Sequence, residues 1–315
     1  MSPGRVVIAL GGNAMTGPDG SATPRAQRDA IAAACRHVAA VVATGVQVVL
    51  THGNGPQVGN LLVKNELAAH EVPPVPLDWC VAQTQATIGF TLADELDAAL
   101  AARGLPQRTA ALVTRTLVDA DDPHFAAPSK PVGRYLPAAE AARFTALGQV
   151  WEDRGTRGWR RVVASPEPRS VVDAPAVAAL VAAGYVVVCA GGGGVPVVAE
   201  SDRPLHGVEA VVDKDLTAAL LARELGADTL VVATDVPCVV LGFGTDTPRP
   251  LGRVTPAELR AHAAAGEFGS GSMGPKVEAA LRFVEAGGAR AVVTSLENIT
   301  DAVTGGAVGT ILTAG

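Results

Sequence analysis

Lysine is almost missing from this 315-residue chain: of 25 basic residues only Lys64, Lys130, Lys214 and Lys276 are lysine, and twenty-one are arginine. A chain that leaves routine surface charge to arginine keeps lysine where a compact, mobile ammonium does what a rigid planar fork cannot. The surroundings of each lysine are therefore informative. Cysteine is sparse as well. Cys35, Cys80, Cys189 and Cys238 lie far apart with no C-x-x-C pair, which argues against a disulfide framework and for reduced, core-packed thiols in a cytoplasm. With 18% charged residues, a net charge of −6 and no basic tract interleaved with aromatics, nucleic acid is a poor main partner. The one basic run, Arg154 to Arg161, reads as a solvated hairpin. No apolar run is long enough for a membrane span, and Val6 to Leu10 is too short for an export signal. Two nucleotide motifs are also lacking: no G-x-x-x-x-G-K-[ST] follows a strand, and no G-x-G-x-x-G opens the first helix.

What remains is a large apolar fraction, 48% of residues, enough for a sizeable core. One phrase recurs in it: an alanine-rich helical stretch, a glycine, then β-branched residues. It appears as "AAVVATGVQVVLTHGNG", "ALAARGLPQRTAALVT", "VAALVAAGYVVVCAGGGG", "ALLARELGADTLVVATD" and "LRFVEAGGARAVVTSLEN". Gly45, Gly104, Gly184, Gly226 and Gly287 would take the left-handed position that stops a helix. The valines that follow, apolar on both faces, suit buried parallel strands. With "RVVIAL" added, the phrase predicts at least six strands in an open, mostly parallel, doubly wound α/β sheet sandwiched by helices.

The phrase lapses between Asp119 and Arg169. There, Trp151–Glu152 and Trp159–Val163 would flank a turn at Gly155 to Gly158. This reads as a hairpin-bearing insertion, residues 119–169, in a single domain of residues 1–315, placed as a flap over a ligand site.

In open sheets of this class ligands sit beyond the carboxyl ends of the strands. Three glycine clusters follow valine runs: "LGGNAM", "THGNGPQVGN" and "CAGGGGVPVV". Glycines let backbone N–H groups close around an anion, and a following helix adds its positive end. Lys276, in "GSGSMGPKVEAALRFVE", is placed in the first turn of a helix, and Lys214, in "VVDKDLTAALLA", at the start of another. A lysine there opposes the helix dipole unless something negative docks. Lys130 sits between prolines in the flap, and Lys64 reads as a surface charge. Two ammonium groups about 5 Å apart repel by roughly 3 kcal/mol at an effective dielectric of 20, so Asp215 is expected to hold Lys214 and Lys276 together rather than to act as a base. His52 and His206, near the loops, are expected to cap or meet solvent.

Taken in order and spacing, "IALGGNA", "THGNGPQVG", "QTQATIGF", "PSKPVG", "SPEP", "GGGGVPVV", "VVDKDLTAALLA", "TDV" and "GSMGPKVEAALRFVE" resemble the carbamate kinases of the amino acid kinase superfamily over nearly the whole chain. The "GGN" opening is shared by the superfamily, whereas "GSMGPKV" with "PSKPVG" is specific to carbamate kinases. The resemblance implies a cytoplasmic homodimer that interconverts ATP plus carbamate with ADP plus carbamoyl phosphate, using Mg²⁺ held mainly through nucleotide phosphates. It makes Lys214 and Lys276 contacts of the transferring phosphoryl group, with Asp215 orienting them and Lys130 reaching in from the flap. Gly11, Gly12, Asn13, Gly53, Asn54, Gly55, Gly192 and Gly193 would line the phosphate and carbamate site. Thr234, Asp235, Val236, Met273 and Gly274 would border the nucleotide. The chain departs from the family's usual Gly-Met at Ala86 and Thr87, and from a frequent lysine at Gly306. Kinases of acetylglutamate, aspartate, uridylate or fosfomycin share the sheet and loops, and a non-catalytic sensor would have lost a lysine or Asp215.

Overall fold

The computed structural model describes residues 4–17, 20, 21, 23–200, 203, 205–269 and 273–314. Eight strands form the central sheet: β1 (Arg5–Leu10), β2 (Gln47–His52), β3 (Thr109–Ala111), β4 (Val186–Val188), β5 (Thr229–Thr234), β6 (Arg253–Val254), β7 (Arg290–Ser295) and β8 (Thr310–Leu312). Their order is β6-β8-β7-β5-β1-β2-β4-β3. The strands expected from the repeated phrase, β1 to β5 and β7, run parallel to one another. β8 is antiparallel to β7, and β6 follows β8. This reversed edge carries no helix–glycine–valine phrase and was not expected from the sequence.

Alternation along the strands divides the core in two. Val7, Ala9, Val49, Val187, Leu230 and Val232 pack on one face with the helices Ala174–Ala182, Lys214–Glu224 and Met273–Glu285. Val6, Ile8, Leu10, Val48, Leu50 and Val231 pack on the other with Pro24–Val42 and Leu77–Ala101. Each such side chain, once fully buried, contributes about 1.5–3 kcal/mol, so a sheet apolar on both faces needs helices on both. The phrase glycines 45, 104, 184, 226 and 287 all have φ between 61° and 97°, the left-handed backbone that stops a helix without a Cβ penalty.

Within residues 119–169 a separate three-stranded antiparallel sheet stands: Lys130–Leu136 and Val150–Asp153 on either side of Trp159–Val163. A satellite core of Leu136, Ala141 and Trp151 holds it together. Phe144 stacks on Trp151 with ring centroids 5.8 Å apart. The sequence indicated the hairpin but not the third strand, whose prolines on either side of Lys130 are residues that strands usually lack. Pro131 is tolerated because its strand lies at an edge. Just outside the insertion, Arg115–Leu117 and Ser170–Val171 pair antiparallel, so the two chain ends of the flap leave the body side by side.

Candidate active site

The helix Lys214–Glu224 begins where it does because Asp213 caps it: one carboxylate oxygen, Oδ1, accepts the N–H groups of Asp215 (2.9 Å) and Leu216 (3.3 Å). The cap places Lys214 and Asp215 at the first two helical positions. Asp215 is buried, and its two oxygens are divided between two lysines: Oδ1 accepts from Lys214 Nζ at 2.6 Å, and Oδ2 from Lys276 Nζ at 3.0 Å. Lys276 belongs to the first turn of the helix Met273–Glu285. Two helix N-termini thus meet across one carboxylate, as the repulsion argument required. Lys130 arrives from the flap and donates to the second Asp213 oxygen, Oδ2, at 2.9 Å. Lys64 is exposed on the helix Gly55–Ala68.

Three ammonium groups share two carboxylates, so one positive charge stays uncompensated. The two helix termini add roughly half a charge each. Burial, joined by the Lys276 ammonium, pushes Lys214 below the usual lysine range against the pull of Asp215. Burial also pushes the Asp213 carboxyl up, but Lys130, Lys214 and the Leu216 N–H outweigh it and hold this acid below the ordinary range. The site is built to receive an anion.

These groups line a cavity of about 830 Å³ together with Gly12, Gly53, Asn54, Gly55 and Gly192. Gly53 follows β2, and a Cβ there would sit 3.4 Å from Lys214 Cε, so the loop and the lysine lie in contact. A second cavity of about 1100 Å³ is lined by Gly11, Gly12, Thr234 and Asp235. Lys276 and Gly12 belong to the wall that the two cavities share. Gly11 packs against the Ala233 carbonyl, where a Cβ would approach to 2.9 Å. Asn13 lies in the 3-10 turn Gly12–Met15, and its side chain lies outside the described atoms. Val236 follows β5, and Met273 and Gly274 start the Lys276 helix; these three line neither cavity.

Gly193 is placed differently from Gly192. It is absent from both linings, its carbonyl accepts the hydroxyls of Thr116 (2.7 Å) and Thr217 (3.2 Å), and a Cβ would collide with the Val212 carbonyl. The "GGGG" turn is therefore mostly a packing device, and only Gly192 of its two candidate residues reaches the cavity. His52 meets backbone rather than solvent: it is buried, its ring Nδ1 lies 3.0 Å from the Gly53 carbonyl, and burial lowers it to about 4, which keeps the ring neutral. Neither His52 nor His206 lines either cavity. Ala86 and Thr87 are exposed on the helix Leu77–Ala101, and Gly306 lies away from both linings.

Two residues of the site escaped the sequence reading. Asp213 was legible as a helix cap from its place before a helical run, but its partner lies 83 positions away. Arg160 was absorbed into the solvated hairpin, yet it lines the first cavity and lies over the Tyr135 ring at 5.0 Å.

A parallel sheet with glycine loops at the carboxyl ends of its strands, and lysines at two helix N-termini around one carboxylate, defines a phosphoryl-transfer fold without a P-loop. The family model for the amino acid kinase family matches residues 4–295, and the chain belongs to that family. Among its relatives, the carbamate kinase of Pyrococcus furiosus is 43% identical, covering 96% of each chain. A solved structure from Aeropyrum pernix K1 superposes with a TM-score of 0.95 at 44% identity, over 99% of this chain and 100% of that one. Carbamate kinase from Giardia lamblia, solved bound to AMP-PNP, gives 0.93 at 38% identity over 99% of both.

Proposed function

We propose that the chain is a carbamate kinase, transferring a phosphoryl group between ATP and carbamate: ADP plus carbamoyl phosphate in one direction, ATP plus carbamate in the other. The observation that carries this reading is the Asp215 carboxylate shared by Lys214 and Lys276 where two cavities meet. A nucleotide in one cavity and a small anion in the other would present the migrating group to both ammonium tips.

Carbamate is already an anion, so its oxygen attacks the γ-phosphorus while the β–γ bridging oxygen departs with its electron pair on ADP. No general base is needed, which agrees with a site whose histidines lie outside both linings. Catalysis reduces to alignment and charge neutralisation. Lys276 and Lys214 neutralise the PO₃ unit, Lys130 closes on it from the flap, and the backbone at Gly11, Gly12, Asn13, Gly53, Asn54, Gly55 and Gly192 surrounds the acceptor side. Thr234, Asp235, Val236, Met273 and Gly274 border the nucleotide.

Magnesium would enter with the nucleotide. At the lysine cluster Asp213 and Asp215 are taken up by lysines, while Asp29, Asp235 and Glu297 line the second cavity. That donor set fits an ion carried on phosphate oxygens, where it would supply charge neutralisation.

The same proposal includes one domain over residues 1–315 with residues 119–169 as its flap, a cytoplasmic setting, and a homodimer. The dimer is supported by Trp79 and Phe90, 60% and 53% exposed on the helix Leu77–Ala101. This helix packs through Gly89 onto Ala111 of β3, the open edge of the sheet. Among the described residues no helix is long and apolar enough to cross a membrane. The test is ATP formation by purified protein from ADP, Mg²⁺ and carbamoyl phosphate. Absence of ATP, with acetylglutamate or uridylate accepting phosphate in the reverse sense, would replace carbamate by another acceptor.

A further inference from the structure

Asp213 has two carboxylate oxygens with separate duties. Oδ1 is fixed by two backbone N–H groups at the start of the Lys214 helix, and Oδ2 receives the Lys130 ammonium. The backbone around it is tied to the flap as well. Lys130 pairs with Val163 inside the flap sheet, Ala164 bridges Ala210, and the Val211 N–H donates to the Ala164 carbonyl at 3.0 Å. These links anchor the base of the flap to residues 210–211, but they leave the long Lys130 side chain free to rotate. Among the described residues, it is the Asp213 carboxylate that takes its tip.

We propose that Asp213 is a positioning residue: it acts through Lys130, holding the flap ammonium over the phosphoryl site in register with the helix that carries Lys214. The proposal rests on the reading of the site as a phosphotransferase centre and adds a part that the sequence motifs left unassigned. An aimed cation contributes to the rate only if it is in place before the transition state, and misplacement by about 1 Å costs on the order of a hundredfold at worst. A mere resting pair would behave in the opposite way. In that case Asp213 would compete with substrate for Lys130, and removing its charge would leave the rate unchanged or raise it.

Asp213→Asn separates the two duties, because asparagine caps a helix about as well as aspartate but does not hold an ammonium. The first readout needs no turnover. Brief acetylation of the ligand-free protein, followed by peptide mass spectrometry, resolves each of the four lysines. In the wild type Lys130 should react several-fold more slowly than exposed Lys64. In Asp213→Asn the Lys130 rate should rise at least threefold and by more than that of Lys214, whose ammonium also feels the Asp213 charge, while Lys276 keeps its rate and the unfolding midpoint stays in place. The second readout is a cycle with Lys130→Ala. Asp213→Asn should lower kcat/KM for carbamoyl phosphate by about tenfold in the wild-type background and by less than twofold in the Lys130→Ala background. An unchanged Lys130 reactivity, equal losses in both backgrounds, or a gain in rate overturns the proposal. A wild type that makes no ATP tells against the reading of the site, whereas the acetylation result stands or falls separately.

Discussion

The two sides of the site are held by different means. Lys214 and Lys276 start helices packed on the central sheet, and a buried carboxylate clamps both; Lys130 rides on a three-stranded flap and is held by one capping aspartate. The sheet side is preorganised by a large core, whereas the flap is held by its own satellite cluster, by Val132 and Val163 packed with Val58 and Leu62, and by ion pairs from Lys130, Arg134 and Arg161. Stability and catalysis should therefore be coupled on the first side and nearly independent on the second.

Asp215→Ala is the harshest way to break that contrast. It leaves two buried ammonium groups adjacent and unpaired, and should cost about 3–5 kcal/mol in urea unfolding, along with nearly all turnover. A stable Asp215→Ala protein would mean that the pair separates freely. Lys276→Ala comes next: removing one aimed cation should cost on the order of 3 kcal/mol of transition-state stabilisation, a hundredfold or more in kcat. Lys130→Ala should lower turnover about tenfold while ADP affinity, measured by calorimetry, stays within a few-fold. Normal turnover in that variant would remove the flap from the chemistry.

How much of this contrast was visible beforehand depends on the range of the interactions. Five of the six parallel strands were legible because each follows a helix and a glycine, and β1 because of its apolar run Val6 to Leu10. The reversed edge of β6 and β8 has no such announcement. Lys214, Asp215 and Lys276 could be linked from sequence, since each helix start is local and the scarcity of lysine singles them out. Asp213 with Lys130, and Arg160 at the cavity wall, depend on how the flap docks. No periodicity encodes that. Gly193 illustrates the converse: a glycine demanded by the Val212 carbonyl looks, in sequence, like one demanded by phosphate.

Titration sharpens the comparison at lower amplitude. Because burial lowers Lys214, its proton should leave below the ordinary 10.5 in the free enzyme. Raising pH removes a positive charge that the phosphoryl group needs, so kcat/KM should fall on an alkaline limb below that value. The limb in kcat should lie at higher pH, since bound phosphate favours the ammonium form. Coincident limbs would place Lys214 away from the substrate. Trp79→Glu should act least on chemistry: it should convert the proposed dimer to monomer in sedimentation analysis and change kcat less than about threefold, as expected of a surface residue outside both cavities. An unaltered sedimentation coefficient would move the interface elsewhere.

The central claim is convergence of three ammonium groups on one migrating phosphoryl. A crystal structure with ADP, Mg²⁺ and a planar metal fluoride in place of that group tests it most directly. The account predicts Lys130, Lys214 and Lys276 Nζ all within hydrogen-bond reach of the fluoride or the oxygens flanking it. A fluoride group bound in line with ADP but contacted by neither Lys214 nor Lys276 would contradict it.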